Sequence, residues 1–405
     1  MALIIPKPAV PDEYLVDNRV YTDRLTFERE RERIFFKVWN FVCHESELPE
    51  PGDFITTSVA GQPIIVARNR SGRIHAFYNT CRHRAAQVVL ERSGNKRNFT
   101  CLYHLWVYDL DGNLVGAPEI DAYKTSYCPA GLDRNNTGLV PVRAESMHRL
   151  VFVCLDDETP SLADYLGDIA ARLEHPFSSP DLQVEVKWTK TLNANWKMQP
   201  ENSRDGYHAA LLHSRLRGVS KPRPFKLFPG GHALQQLSLD YDEGKKLGTL
   251  DGILLERPEL AEKFMAHPLP GQSRDDPSSI ITLFPDTLVA TRYSTLVIER
   301  QIPVSPEETV FETRHVFMKN DTPELKELRD QHWTLYWAEN SGNLPEDWDA
   351  WLAQQRGVQS VGVRYSLLAR GEPATEGLRG DDNRIRDFWR QWRVCMGTIS
   401  NAPPQ

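Results

Sequence analysis

Two short motifs, Cys81-Arg82-His83 and Cys101-Leu102-Tyr103-His104, separated by 17 residues, limit the folds open to this chain more than anything else in it. Each places a thiol and an imidazole side by side between strand-like runs. The tips of two such loops can meet at one centre only if a compact β framework holds them together. Four donors of this kind suit a structural zinc ion, or a two-iron cluster with sulfur ligands on one iron and nitrogen ligands on the other. Zinc fingers pair Cys with Cys and His with His along the chain. Here each loop contributes one of each, which favours the mixed cluster.

The surrounding pattern supports a β framework. Asp53 to Val59 and Pro63 to Arg68 read as strands joined through Ala60-Gly61, Ile74 to Tyr78 follows a Ser71-Gly72 turn, and Asp111-Gly112-Asn113 makes another tight turn. With 405 residues the chain exceeds what one hydrophobic core organises. Beyond residue 156 the texture becomes α+β, with strands over 294–302 and 309–317 and helices over 323–338 and 384–395. A charged, amphipathic helix over Thr26 to Trp39 precedes the β region. The expected organisation is an N-terminal helical segment (1–37) packing on the larger domain, a β domain (38–155) and the larger domain (156–405).

A second constellation opens the larger domain. In the run Glu201-Asn202-Ser203-Arg204-Asp205-Gly206-Tyr207-His208, the residues Asn202, Asp205 and His208 would share a helical face, and His213 follows. Five residues of ideal helix turn His213 about 140° from His208, so the helix is expected to break if both rings meet one metal. Two His and a carboxylate on one side of iron(II), with other positions open, admit substrate and O2 together.

The two constellations together resemble the Rieske non-haem iron ring-hydroxylating oxygenases, specifically their large (α) subunit. Cys81-x-His83-Arg84 and Cys101-x-Tyr103-His104-x-Trp106 are similar to the family's cluster motif, except that Ala85 and Leu105 stand where Gly is common. The resemblance implies a [2Fe-2S] cluster on Cys81, His83, Cys101 and His104. It implies a mononuclear Fe(II) on His208 and His213, with Asp205 linking the two centres and Asn202 close to the iron. Two regions compete for the third ligand. Glu346-Asp347, followed after seven residues by Gln355-Arg356-Gly357, is similar to the branch that includes terephthalate dioxygenase and salicylate 5-hydroxylase-type members. Asp381-Asp382 is similar to the naphthalene- and biphenyl-type run. Asp347 is preferred, because Asp381 and Asp382 directly precede a helix where acids have an ordinary capping role.

The implied fold is α+β, an all-β Rieske domain plus a catalytic domain with an antiparallel sheet and flanking helices of helix-grip type. The implied reaction uses O2 to hydroxylate an aromatic substrate. No Gly-x-Gly-x-x-Gly fingerprint is present, so electrons must come from a separate NAD(P)H-dependent reductase, with or without a ferredoxin. The implied assembly is a homotrimer, with or without a small β subunit, in which His104 of one copy reaches Asp205 of the next. Arg300 shares a strand face with Leu296, Ile298 and Ile302, and needs either a structural carboxylate or a substrate carboxylate as its partner. Arg379 is a second candidate by resemblance, which makes an aromatic carboxylic acid the expected substrate. Oxidative demethylation is the alternative within the family, and a non-catalytic iron–sulfur redox sensor the alternative outside it.

Composition narrows the partners. The net charge of -7 argues against nucleic acid as the main ligand. No apolar run approaches a membrane span, and the apolar start Ala2 to Ile5 is cut by Pro6, so a cytoplasmic protein is expected. Locally, Arg82, Arg84, Arg92, Lys96 and Arg97 oppose only Glu91, a basic patch suited to an acidic electron carrier. The remaining cysteines, Cys43, Cys128, Cys154 and Cys395, read as packing residues.

Overall fold

The computed structural model describes residues 7–174, 176–177, 179–213, 220–239, 258–270, 272, 278–378 and 380–399. The chain divides into two units, residues 35–162 and residues 1–34 with 163–405.

The smaller unit is built on strands β1 (Asn40–His44), β2 (Asp53–Val59), β3 (Gln62–Arg68), β4 (Ile74–Tyr78) and β5 (Ser93–Asn95). Then come β6 (Phe99–Thr100), β7 (Val107–Tyr108), β8 (Leu114–Gly116), β9 (Pro141–Met147) and β10 (Leu150–Cys154). Seven of them form one antiparallel sheet in the order β1-β10-β9-β4-β3-β2-β5, and β6-β7-β8 form a second. The β2–β3 hairpin closes through Ala60 and Gly61 at φ 45° and 85°, the left-handed pair that matches strand twist. Gly112 is required sterically, since a Cβ there would lie 2.4 Å from the Phe77 ring. Phe54, Phe77, Phe99, Trp106, Tyr108 and Leu110 form the core, and Cys81 and Cys101 are buried in it.

The division falls a few residues outside the expected 38 and 155. On one side the Asn40 amide donates to the carbonyls of Phe35 and Val38, and on the other Arg143 holds the carbonyls of Thr159 and Pro160. Those bonds tie both flanks to the β unit.

The larger unit carries an eight-stranded antiparallel sheet. Its strands are β11 (Leu182–Leu192), β12 (Ser220–Phe228), β13 (His232–Leu239), β14 (Ser278–Leu283), β15 (Thr287–Arg292), β16 (Thr295–Ser305), β17 (Glu308–Met318) and β18 (Glu376–Leu378). They lie in the order β11-β17-β16-β15-β14-β13-β12-β18. Among its helices are α1 (Arg24–Glu30), α2 (Met198–Arg204), α3 (Pro323–Trp337), α4 (Leu344–Gly357) and α5 (Asn383–Cys395). Thr322 caps α3 by accepting from the Leu325 amide, with Pro323 in the first turn, where its missing N–H costs nothing. The helix expected over 26–39 is shorter. It starts at Arg24, widens into a π-type turn over Arg31–Phe35 and ends before Trp39.

Two buried carboxylates tie α1 and its approach to the rest of this unit. Glu30 takes hydrogen bonds from the indoles of Trp196 (2.9 Å) and Trp392 (2.8 Å) and an ion pair from Lys197 (2.7 Å). Glu201 takes them from the Tyr21 hydroxyl (2.5 Å), the Trp389 indole (2.6 Å) and the Gln354 amide (3.3 Å). A carboxylate can be buried in such a place only with every oxygen satisfied. The second of these joins α2, α4 and α5, the elements that frame the site described next.

Candidate active site

In the β unit, the loops that follow β4 and β6 have the same backbone plan. The Ala85 amide donates back to Cys81 (3.0 Å) and the Cys81 amide to Ala86 (2.8 Å); the Leu105 amide donates to Cys101 (3.0 Å) and the Cys101 amide to Trp106 (2.8 Å). Ala85 and Leu105 both take left-handed backbone, φ 55° and 56°. Glycine would hold that conformation freely, and an L side chain costs roughly 1 kcal/mol there. The departures from glycine therefore leave the loop geometry intact.

The side chains converge as the spacing requires. The rings of His83 and His104 lie 4.5 Å apart, and His83 stacks on Trp106 at 5.1 Å. The His83 Nδ1 atom is buried with no hydrogen-bond partner, as expected of a nitrogen shaped to bind a metal. Two buried thiols and two imidazoles on matched loops fit a mixed two-iron cluster. Tyr108 adds a contact: its hydroxyl accepts from the Arg82 amide (3.1 Å) and lies 3.3 Å from Cys81 Sγ, so its own proton is free for the sulfur. Burial, with Cys81 alongside, raises the phenol well above its ordinary range, so it stays a donor.

In the larger unit, α2 ends at Arg204. Asp205 leaves helical backbone at φ -82° and ψ 107°, and a short 3-10 turn resumes at His208. The helix therefore ends before His208, not between His208 and His213 as expected, and Asn202, Asp205 and His208 do not share one helical face. Asp205 shapes it by accepting the Tyr207 amide at 2.7 Å and the His208 amide at 3.3 Å. The turn brings His208 and His213 together with Asp347, from the first turn of α4. Their ligand atoms all lie within 4.8 Å of one another, and no other group of three or more His, Cys, Asp or Glu residues among those described does this. Asp347 Oδ1 is 3.6 Å from His208 Nε2 and 3.4 Å from His213 Nε2, and accepts the Asn202 amide at 3.0 Å. Burial pushes the Asp347 carboxyl up, against the pull of His213 and His208; a divalent cation would hold it ionised. Two imidazoles and a carboxylate at this separation fit iron(II).

Behind each ring stands a second carboxylate. Asp205 Oδ2 is 3.5 Å from His208 Nδ1, and Glu346 Oε2 is 2.9 Å from His213 Nδ1. Burial works to raise the Asp205 carboxyl, but the nearby His208 imidazole and the backbone amides of Tyr207 and His208 outweigh it and leave it below its ordinary value. Glu346 was not picked out from the sequence, although the Glu-Asp dipeptide contained it. Tyr108 and Glu201 were missed too, because nothing in the sequence distinguishes a core tyrosine or helix glutamate from one aimed at a site.

Other expected residues lie elsewhere. Asp381 and Asp382 fix local backbone, accepting from the amides of Asn383 (3.0 Å) and Arg370 (2.8 Å), and are not in the metal group. Gln199 of α2 donates to Glu299 at 3.4 Å, which places Glu299 on the sheet face that α2 covers. Strand alternation turns Arg300 to the opposite face, where it is buried with Asp286 Oδ2 3.9 Å from its Nε. Burial raises the Asp286 carboxyl to about 6, with Arg300 pulling it down. Asp286 is thus a structural carboxylate neighbour of Arg300, one of the two kinds of partner expected for it. Arg379 lies outside the described residues.

Comparison with known proteins agrees with this geometry. Residues 38–127 match the Rieske [2Fe-2S] domain, and residues 179–388 match the ring-hydroxylating α subunit catalytic domain. The chain belongs to the Rieske ring-hydroxylating oxygenases. It is 34% identical to the α subunit of 2-aminobenzenesulfonate 2,3-dioxygenase from Alcaligenes sp, over 97% of this chain and 96% of that one. It is 29% identical to a terephthalate 1,2-dioxygenase terminal oxygenase α subunit from Comamonas sp, over 95% of each. The fold matches crystalline naphthalene 1,2-dioxygenase from Rhodococcus sp. with a TM-score of 0.78 at 23% identity, over 96% of each chain. As a Rieske oxygenase α subunit it is an oxidoreductase acting on aromatic or related substrates, with a [2Fe-2S] cluster and a mononuclear iron. Such oxygenase components work with reductase or ferredoxin partners. Among the described residues no helix is long and apolar enough to cross a membrane.

Proposed function

We propose that the chain is the terminal oxygenase of a system that hydroxylates an aromatic acid. His208, His213 and Asp347 would hold the mononuclear iron, and Cys81, His83, Cys101 and His104 the cluster. The convergence of two imidazoles and one carboxylate from α4 carries this reading. The cluster supplies single electrons and the iron the site at which O2 meets substrate. The chain's own residues orient the ligands: Asn202 holds Asp347 through its amide, and Asp205 sits behind His208. We assign Asp205 as the link between this site and the cluster of a neighbouring copy in a homotrimer, with or without a small β subunit.

The electron donor would be an NAD(P)H-dependent reductase, directly or through a ferredoxin, in the cytoplasm. Its docking surface would be the exposed Arg82, Arg84, Arg92 and Arg97 beside the cluster loops. Association should therefore weaken with salt. Two relatives over the full chain are named for aryl acids, one a sulfonate and one a dicarboxylate, which supports an acid group on the ring. Purified protein with its reductase, given benzoates, benzenesulfonates and the matching esters and amides, should turn over the acids at least about tenfold faster, the effect of roughly 1.4 kcal/mol of recognition. Equal turnover of the neutral analogues would refute the substrate class, and demethylated products alone would refute hydroxylation.

The Tyr108 contact gives a further expectation. A hydrogen bond to a cluster sulfur favours the reduced, more negative state. Tyr108→Phe should lower the midpoint potential by roughly 30–60 mV, since one hydrogen bond is worth about 1 kcal/mol and a tenfold change is about 59 mV for one electron. A redox titration that found no shift would place the hydroxyl proton elsewhere.

A further inference from the structure

The two imidazoles of the iron site are held in different ways. His208 has Asp205 behind it at 3.5 Å, the outer limit of a hydrogen bond, and its buried Nδ1 makes none. His213 is buried and gripped at both nitrogens by consecutive residues of one helical turn: Glu346 Oε2 is 2.9 Å from Nδ1, and Asp347 Oδ1 is 3.4 Å from Nε2. Neighbouring residues on a helix point about 100° apart, so Glu346 and Asp347 can reach opposite edges of one ring lying across the start of α4.

A neutral imidazole carries one proton, and the nitrogen that binds a metal cannot hold it. His213 Nε2 faces Asp347 and His208, so the proton belongs on Nδ1, where Glu346 Oε2, 2.9 Å away, is placed to accept it. We propose that Glu346 is the positioning residue for His213. It accepts the Nδ1 proton, fixes the tautomer that leaves Nε2 open, sets the ring plane and raises the basicity of the ligand nitrogen. It does this independently of Asp205, whose geometry serves the other ring. His213 is thus the rigid ligand and His208 the one free to adjust. This rests on the iron assignment proposed above.

The test uses the full-length, cluster-containing protein and chelator competition for the mononuclear iron. Glu346→Ala should bind that iron roughly 10–100-fold more weakly, the usual effect of removing an outer carboxylate partner. Its ferrous-nitrosyl EPR spectrum should broaden as the His213 ring loses its fixed orientation. Glu346→Gln, whose amide oxygen can accept the same bond, should recover most of the affinity and a sharp spectrum. Wild-type affinity and spectrum in Glu346→Ala would overturn the proposal, as would a Gln variant as weak as the Ala variant. His213→Ala separates the two levels: if it loses iron while Glu346→Ala does not, only the role of Glu346 falls. If His213→Ala also keeps wild-type affinity, the iron assignment itself falls.

Discussion

Asp205→Ala is expected to cut product formation by roughly 100-fold or more while the protein still contains its cluster and its mononuclear iron. The carboxylate is not in the ligand group; it stands 3.5 Å behind His208 Nδ1 and holds the turn through the Tyr207 and His208 amides. Loss of an outer partner costs 10–100-fold in its own right, and loss of the proposed link between centres adds to that. Asp205→Asn should keep the turn, because an amide oxygen can still accept the Tyr207 N–H, yet lose the charge facing His208. A fall in both variants would place the effect on the carboxylate rather than on backbone shape. Reduction of the cluster should stay normal, and single-turnover oxidation of the cluster should become slow. An Asp205→Ala variant with wild-type product yield would rule out this residue as the link.

Asp347→Ala should have the larger effect, abolishing turnover through loss of iron. One oxygen of this carboxylate lies within 3.6 Å of both imidazoles and accepts the Asn202 amide, so its removal leaves two rings and an amide facing nothing. Two neutral imidazoles alone cannot hold iron(II) against water and buffer as three donors can. Asp382→Ala is the informative contrast. Its carboxylate caps the Arg370 amide at 2.8 Å and feels the nearby charge of Asp205. That variant should keep its iron and lose only local rigidity.

The cluster loops were legible because their chemistry is local: a Cys and a His two or three residues apart must share a loop tip. The His208 and His213 pair was legible, but not its backbone: the α-helix ends at Arg204, before either histidine, where a helix through His208 and a break after it were expected. Asp347 could be preferred but not secured from sequence, because a ligand 134 residues beyond His213 is set by how α4 packs on α2, through Asn202 and Gln354. Arg300 shows a different dependence on tertiary structure. Alternation gave its strand face correctly, but which face the iron helix covers follows from the Gln199 to Glu299 contact alone, a tertiary fact. Glu346 was hidden for the same reason: an exposed-looking acid in the first turn of a helix is ordinary until an imidazole is seen beside it.

Metal content tests the central claim most directly. Iron and acid-labile sulfide should be counted per chain in the wild-type, Asp347→Ala and Asp382→Ala proteins, with the visible spectrum as a check on the cluster. The wild type should contain the two cluster irons and one more, Asp347→Ala the two cluster irons alone with an unchanged spectrum, and Asp382→Ala the full set. Full iron content in Asp347→Ala, or its loss in Asp382→Ala, would contradict the site built on His208, His213 and Asp347.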